Sequence, residues 1–231
     1  MLKGVVTLNK IIQSLLKEYV QIEVSGKKVL KGTLIDVGTD IIVIFNGTDY
    51  MYIPINHIHS YCTLKKNELD TFVPIELPSI KTGGNNHELS LRVTLHQAQG
   101  KSTEIYLIDD QPLHGYITEI KDDYFEFYSP IYKTMYISTK HLKWLIPYPT
   151  NECPYGLNNP KFQLSVTEAS VDTFKNKIEK FIDKIIVFNI GGSKSHIGTI
   201  KNVEEQVVEL EAARAVKDYI NIDHIKTIHG V

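Results

Sequence analysis

Cysteine and tryptophan are scarce, with 2 Cys and 1 Trp in 231 residues. Cys62 and Cys153 are too few to staple a small extracellular fold, and they lack zinc-ligand spacing, so a reducing compartment is the default. Long apolar runs are also missing. Stretches such as Ile41 to Phe45 fall far short of the ~20 residues a membrane helix needs, so no membrane span is expected. Near the N-terminus, Asn9, Lys10, Gln13, Ser14 and Lys17 interrupt any signal-peptide core, which favours a cytoplasmic location. Charge of one sign is not in excess: 25 Lys and Arg face 27 Asp and Glu, a net −2, without the basic surplus of a dedicated nucleic-acid binder. What remains is an ordinary globular balance, 42% hydrophobic and 23% charged, enough to bury a core.

The chain does hold a threefold internal repeat. Gly32-Thr33-Leu34-Ile35-Asp36-Val37 returns as Gly115-Tyr116-Ile117-Thr118-Glu119-Ile120 and as Gly198-Thr199-Ile200-Lys201-Asn202-Val203. Further on, Tyr52-Ile53-Pro54-Ile55-Asn56-His57-Ile58 matches Tyr136-Ile137-Ser138-Thr139-Lys140-His141-Leu142 and Tyr219-Ile220-Asn221-Ile222-Asp223-His224-Ile225. Glycine precedes histidine by 25 residues in the first copy and by 26 in the other two. Successive histidines are 84 and 83 residues apart, too far for a solenoid repeat and suited to a small domain.

Period-2 alternation rich in Val, Ile, Tyr and Phe predicts strands, most clearly at 184–190, 197–203, 206–211, 217–222 and 226–228. Ser25-Gly26-Lys27 and Gly191-Gly192-Ser193 suit hairpin turns. Helical spacing of Leu8, Ile11, Ile12, Leu15 and Leu16, and of Val171, Phe174, Ile178, Phe181 and Ile182, predicts a helix ahead of copies one and three; Leu89 to His96 is its counterpart in copy two. Asp172 or Ser170 is the expected cap of the third helix. Proline and glycine mark linkers at 71–86 and 147–160. The expected division is a first barrel at 1–64, a linker at 65–86, a second barrel at 87–148, a linker at 149–169 and a third barrel at 170–231.

A helix followed by five short strands, with a Gly-any-aliphatic start to the second and a one-turn break between the last two, resembles the Sm-like fold. Ile53 to Ile58, Ile137 to Leu142 and Ile220 to Ile225 carry the spacing of that break. The resemblance implies three tandem five-stranded small barrels, each preceded by a helix, in a mainly β chain. The strand Ile185-Ile186-Val187-Phe188, with the Gly-any-aliphatic-any-acidic-Val motif, is also similar to short spore-associated small-barrel proteins of endospore-forming bacteria, which implies a structural role at the spore coat.

The Sm-like RNA site departs from its pattern at both of its usual places. Pro54-Ile55, Ser138-Thr139 and Asn221-Ile222 stand where an Arg-Gly pair is usual, and the loops after the second strands are acidic. Only Lys140-His141 resembles the RNA-contacting Lys-His pair of the Hfq members of the fold. With Tyr136 and Trp144 these two form the candidate binding set, while Gly32, Gly115, Gly198, His57, His141 and His224 are expected to be structurally equivalent.

Catalysis has little to stand on. Gly191-Gly192-Ser193-Lys194-Ser195 lacks phosphate-loop spacing and occupies a hairpin slot. Asp109-Asp110 and Asp122-Asp123 fall at predicted turns, where solvated aspartate is common for backbone reasons. Three histidines around an axis would suit zinc, yet their recurrence follows more simply from the repeat, so no metal and no cofactor is expected. Half or more of the 13 tyrosines should serve packing. The expected function is therefore a non-enzymatic scaffold or binding protein, with RNA binding as the alternative and a small-ligand binder as a third reading. Its expected partner is itself or another protein through barrel edges, and two chains could close a pseudo-hexameric ring. Pro54 is the complication, since a proline in a fourth strand can block an edge.

Overall fold

The computed structural model describes residues 11–64, 89–107, 111–149, 152–157, 172–190 and 195–230. Copy one contributes β1 (Tyr19–Val24), β2 (Lys28–Val37), β3 (Ile41–Phe45), β4 (Tyr50–Pro54) and β5 (Ile58–Thr63). Copy two contributes the helix α1 (Leu91–Ala98), then β6 (Ser102–Tyr106), β7 (Leu113–Ile120), β8 (Tyr124–Ser129), β9 (Lys133–Ser138) and β10 (Trp144–Pro147). Copy three contributes α2 (Phe174–Glu179), then β11 (Ile185–Phe188), β12 (His196–Glu204), β13 (Val207–Glu211), β14 (Lys217–Asn221) and β15 (Thr227–Gly230). The mainly β expectation holds. Burial alternates along β1, as its period-2 sequence requires, whereas the continuous apolar run of β3 is buried on both faces.

Contacts gather the chain into two compact units, one of residues 1–105 with 143–153 and one of residues 106–142 with 154–231. Division by repeat and division by contact therefore differ, because the middle copy contributes to both units. In the first unit the strand order is β6-β10-β4-β3-β2-β1-β5, and in the second it is β7-β8-β9-β15-β11-β12-β13-β14. In copies one and three the first four strands form an antiparallel meander, and the fifth returns to pair with the first. Consecutive copies are hydrogen-bonded edge to edge into shared sheets within each unit, and this strand order does not divide into the three Sm-like barrels expected.

The recurring glycine has a steric cause. A Cβ on Gly32 would lie 2.5 Å from the Phe45 carbonyl oxygen, and one on Gly198 would lie 2.5 Å from that of Glu211; Gly115 meets the Tyr128 carbonyl in the same way. Each obstacle is backbone 13 residues downstream, which cannot rotate aside. Just beyond each glycine the pairing of the second and third strands slips, between Leu34 and Asp36, Ile117 and Glu119, and Ile200 and Asn202. Such bulges bend a strand sharply.

Helix α1 is capped by the Ser90 hydroxyl, which accepts from the Val93 N–H, and α2 by Thr173, which accepts from the Asn176 N–H at 3.2 Å. Asp172 is thus not the cap expected for the third helix, and Ser170 lies outside the described residues. Residues 11–13 are helical, but the expected helix stops there, since Leu15 and Leu16 lie in the turn that follows; Leu8, the 71–86 linker, Asp109-Asp110 and Gly191 to Lys194 also lie outside the described residues.

Candidate functional site

Strand edges become sites when one copy meets the next. Each fourth strand ends at a short 3-10 turn closed by the recurring histidine: Ile55–His57, Thr139–His141 and Ile222–His224. β10 of copy two pairs antiparallel with β4 of copy one, Leu145 opposite Tyr52. β15 of copy three pairs antiparallel with β9 of copy two, Ile228 opposite Tyr136. Counted from each copy's own histidine, both joints set the fourth residue after it against the fifth residue before it. The register is the same.

In the second unit the joint gains one further backbone bond, from the Ser138 N–H to the Lys226 carbonyl at 3.0 Å. Pro54 holds the place of Ser138 in copy one and has no N–H to give. β4 nevertheless pairs with β10, so Pro54 does not block the edge.

The helix of the incoming copy covers the joint. Tyr136 meets Phe181 with ring centroids 5.7 Å apart and Tyr124 at 6.3 Å, and the Lys177 ammonium sits 3.8 Å from its ring centroid. Burial, with the nearby Glu126 and Glu119 carboxylates, pushes the Tyr136 phenol up to about 12. Burial also raises Glu126, partly offset by Lys177, whose ammonium lies 3.5 Å from its carboxylate. Asp172 accepts from the Tyr124 hydroxyl at 3.1 Å and from Lys180 at 2.8 Å. Burial works to raise that carboxyl, but the two hydrogen bonds win and hold it below the usual range.

The loop of the preceding copy receives the helix. Asp40 accepts from the Leu91 N–H at 2.7 Å and Asp123 from the Phe174 N–H at 2.7 Å. Asp123 is thus a helix acceptor and not merely a solvated turn residue. Both aspartates lie 8 residues after their copy's glycine, where copy three has Gln206. Aspartate at that position in copies one and two, and glutamine in copy three, is the mark of this role in the sequence.

Of the candidate binding residues, Tyr136 and Trp144 are packed, while Lys140 and His141 make exposed polar contacts. Lys140 Nζ donates to Asp223 Oδ1 at 2.9 Å, and His141 Nε2 lies 2.9 Å from the Asp223 carbonyl, so the Lys-His pair grips the turn of the next copy. Trp144 is 2% exposed in β10 and is core. His57 Nδ1 lies 3.2 Å from Ser25 Oγ, and the His224 carbonyl accepts from Asn189. Among the described residues no three His, Cys, Asp or Glu side chains lie close enough together to hold a metal ion. An open cleft of about 300 Å³ in the second unit is lined by Leu113, His114, Tyr132 and Tyr155.

These features define a repeat-built, antiparallel β protein whose copies join strand to strand. The uncharacterized protein YwrJ of Bacillus subtilis (strain 168) is 35% identical over 216 residues, covering 91% of this chain and 94% of that protein. The chain belongs to the YwrJ family. The model of the YwrJ third domain matches residues 173–228. Spore coat protein B of the same strain is 26% identical over 145 residues, which is 62% of this chain and 36% of that protein.

Proposed function

We propose that this chain is a non-enzymatic, spore-associated structural protein, made of three Sm-like barrel repeats and adapted to assembly through strand edges. The observation that carries the reading is the common register of the two joints, Leu145 on Tyr52 and Ile228 on Tyr136. A pairing repeated in one register is a specified interface, because a one-residue slip would turn every side chain to the wrong face. Strand-to-strand addition is a means of assembly. The similarity to spore coat protein B supports a spore-associated role.

RNA binding is the weaker reading. Lys140 and His141, the residues that suggested it, are engaged with Asp223, and the chain's net charge of −2 gives no general attraction to phosphate. The test is fractionation of a sporulating endospore-former that makes the epitope-tagged chain. Recovery in the spore-coat extract is expected; even distribution through soluble cytoplasm, with salt-sensitive submicromolar binding to single-stranded RNA, would replace this reading with the rival.

A further inference from the structure

The two joints within the chain leave one fourth strand and one fifth strand at the ends of the described strand order, β14 and β5. Among the described residues β14 pairs only with β13, and β5 only with β1. We infer that β14 of one chain pairs with β5 of a second copy, in the register of the internal joints, with Tyr219 opposite Tyr61. The inference rests on the assembly reading above and deepens it by naming the partner.

Position by position, the rule that sets Ile228 on Tyr136 sets Tyr61 on Tyr219, Ser60 on Ile220 and Cys62 on Asp218. Asn221 stands where Ser138 stands and, unlike Pro54, carries the N–H for the extra bond, here to the His59 carbonyl of the second copy.

Exposure agrees at both ends. Tyr219 is 66% exposed, whereas Tyr52 in the same place is buried at its joint. Val207 is 40% exposed, while its equivalents Ile41 and Tyr124 are buried. On β5, Tyr61 is partly exposed, but Leu145 and Ile228 in its place are buried. The N-terminal segment offers the matching cover. Ile11, 53% exposed, and Leu15 occupy the positions of Lys177 and Phe181, the groups that close over Tyr136. At this joint the ammonium over the ring is replaced by an aliphatic side chain, so an apolar tyrosine end faces an apolar helix end. A second copy is the occupant that supplies both the strand and the cover.

The register gives a specific test on the full-length chain. Equivalence with the Thr227–Ile137 and His229–Met135 pairs, which flank the hydrogen-bonded Ile228–Tyr136 pair, makes Asp218 and Cys62 a non-hydrogen-bonded pair. In such pairs Cα atoms lie ~4.5 Å apart, within disulfide reach. In a Cys153→Ser background, Asp218→Cys should give a disulfide-linked dimer or ladder under mild oxidation, abolished by Cys62→Ser. Tyr219→Cys, one step off and on the opposite face, should cross-link at least tenfold more slowly. Light scattering of the unmodified chain should give a mass that rises with concentration, and Tyr219→Glu should lower it towards the monomer. A monomer at every concentration, or equal cross-linking by both cysteine variants, would overturn the inference. A chain that cross-links in register but stays out of the spore coat would instead sink only the functional reading.

Discussion

Tyr52 and Tyr219 occupy the same place in two copies of one repeat, yet the first is 0% exposed and the second 66%. Both sit on fourth strands, and both are followed by Ile, a short turn and His. The difference is the neighbour: β10 lies against β4, and among the described residues no strand lies against the outer edge of β14. Burial here is a property of the joint and not of the residue.

Truncation should expose that contrast most sharply. Tyr52→Ala removes a large, fully enclosed ring and is expected to cost about 3–5 kcal/mol, whereas Tyr219→Ala should stay within about 0.5 kcal/mol in the dilute monomer. Tyr136→Ala, half-buried under Phe181 and Lys177, should fall between them. Urea unfolding of the three variants checks the order. Equal losses at positions 52 and 219 would mean that the neighbour does not determine the energetics.

The repeat, the strands and the histidine turn were legible because each leaves a local mark: alternation, a glycine facing a carbonyl, a fixed spacing. Lys140, His141, Tyr136 and Trp144 were legible as unusual but their partners were not, since sequence shows a side chain's chemistry and not what it faces. Lys140 owes its partner to Asp223, 83 residues away. The two-unit division was hidden for the same reason. A fifth strand that leaves its own copy's fourth strand for the previous copy's makes a long-range choice, and no periodicity records it. The helix caps Ser90 and Thr173 were readable in principle; Asp172 drew attention as a better N-cap residue type, while its carboxylate serves Tyr124 and Lys180 instead.

The pair Leu89 and Asp172 sharpens the comparison between joints. They are equivalent positions, each just ahead of a helix, but Leu89 is buried while Asp172 is hydrogen-bonded. The Asp172 carboxyl is held below its ordinary pKa, so the unfolded chain binds its proton first as pH falls. Its contribution is therefore full above the ordinary carboxylate value and is lost as pH drops through the depressed folded value. Asp172→Asn should cost about 1.5–3 kcal/mol at neutral pH, the range for hydrogen bonds to a charged group, with the gap to the parent closing below about pH 4. Leu89→Ala should show a loss that does not depend on pH. Unfolding curves collected from neutral to acidic pH would decide it, and an Asp172→Asn loss constant with pH would assign the effect to shape alone.

The smallest expected effect distinguishes the loops. Asp40 and Asp123 each accept an N–H from the first turn of the following helix, at Leu91 and Phe174, where the unbonded backbone donors of a helix start collect. A carboxylate there satisfies one donor and faces the positive end of the helix dipole, a combination worth about 1 kcal/mol. Ser90 and Thr173 cap the same helices from within, so loss of the loop aspartate removes only one of two acceptors. Asp40→Ala and Asp123→Ala should thus each cost about 1 kcal/mol, and part of that loss should be screened at high salt. Gln206, at the equivalent place in the third copy, has no following α-helix among the described residues and should tolerate alanine with almost no change. If Gln206→Ala were as costly as Asp123→Ala, the loop would be serving its own hairpin in all three copies, and the link between loop and following helix would lose its energetic meaning.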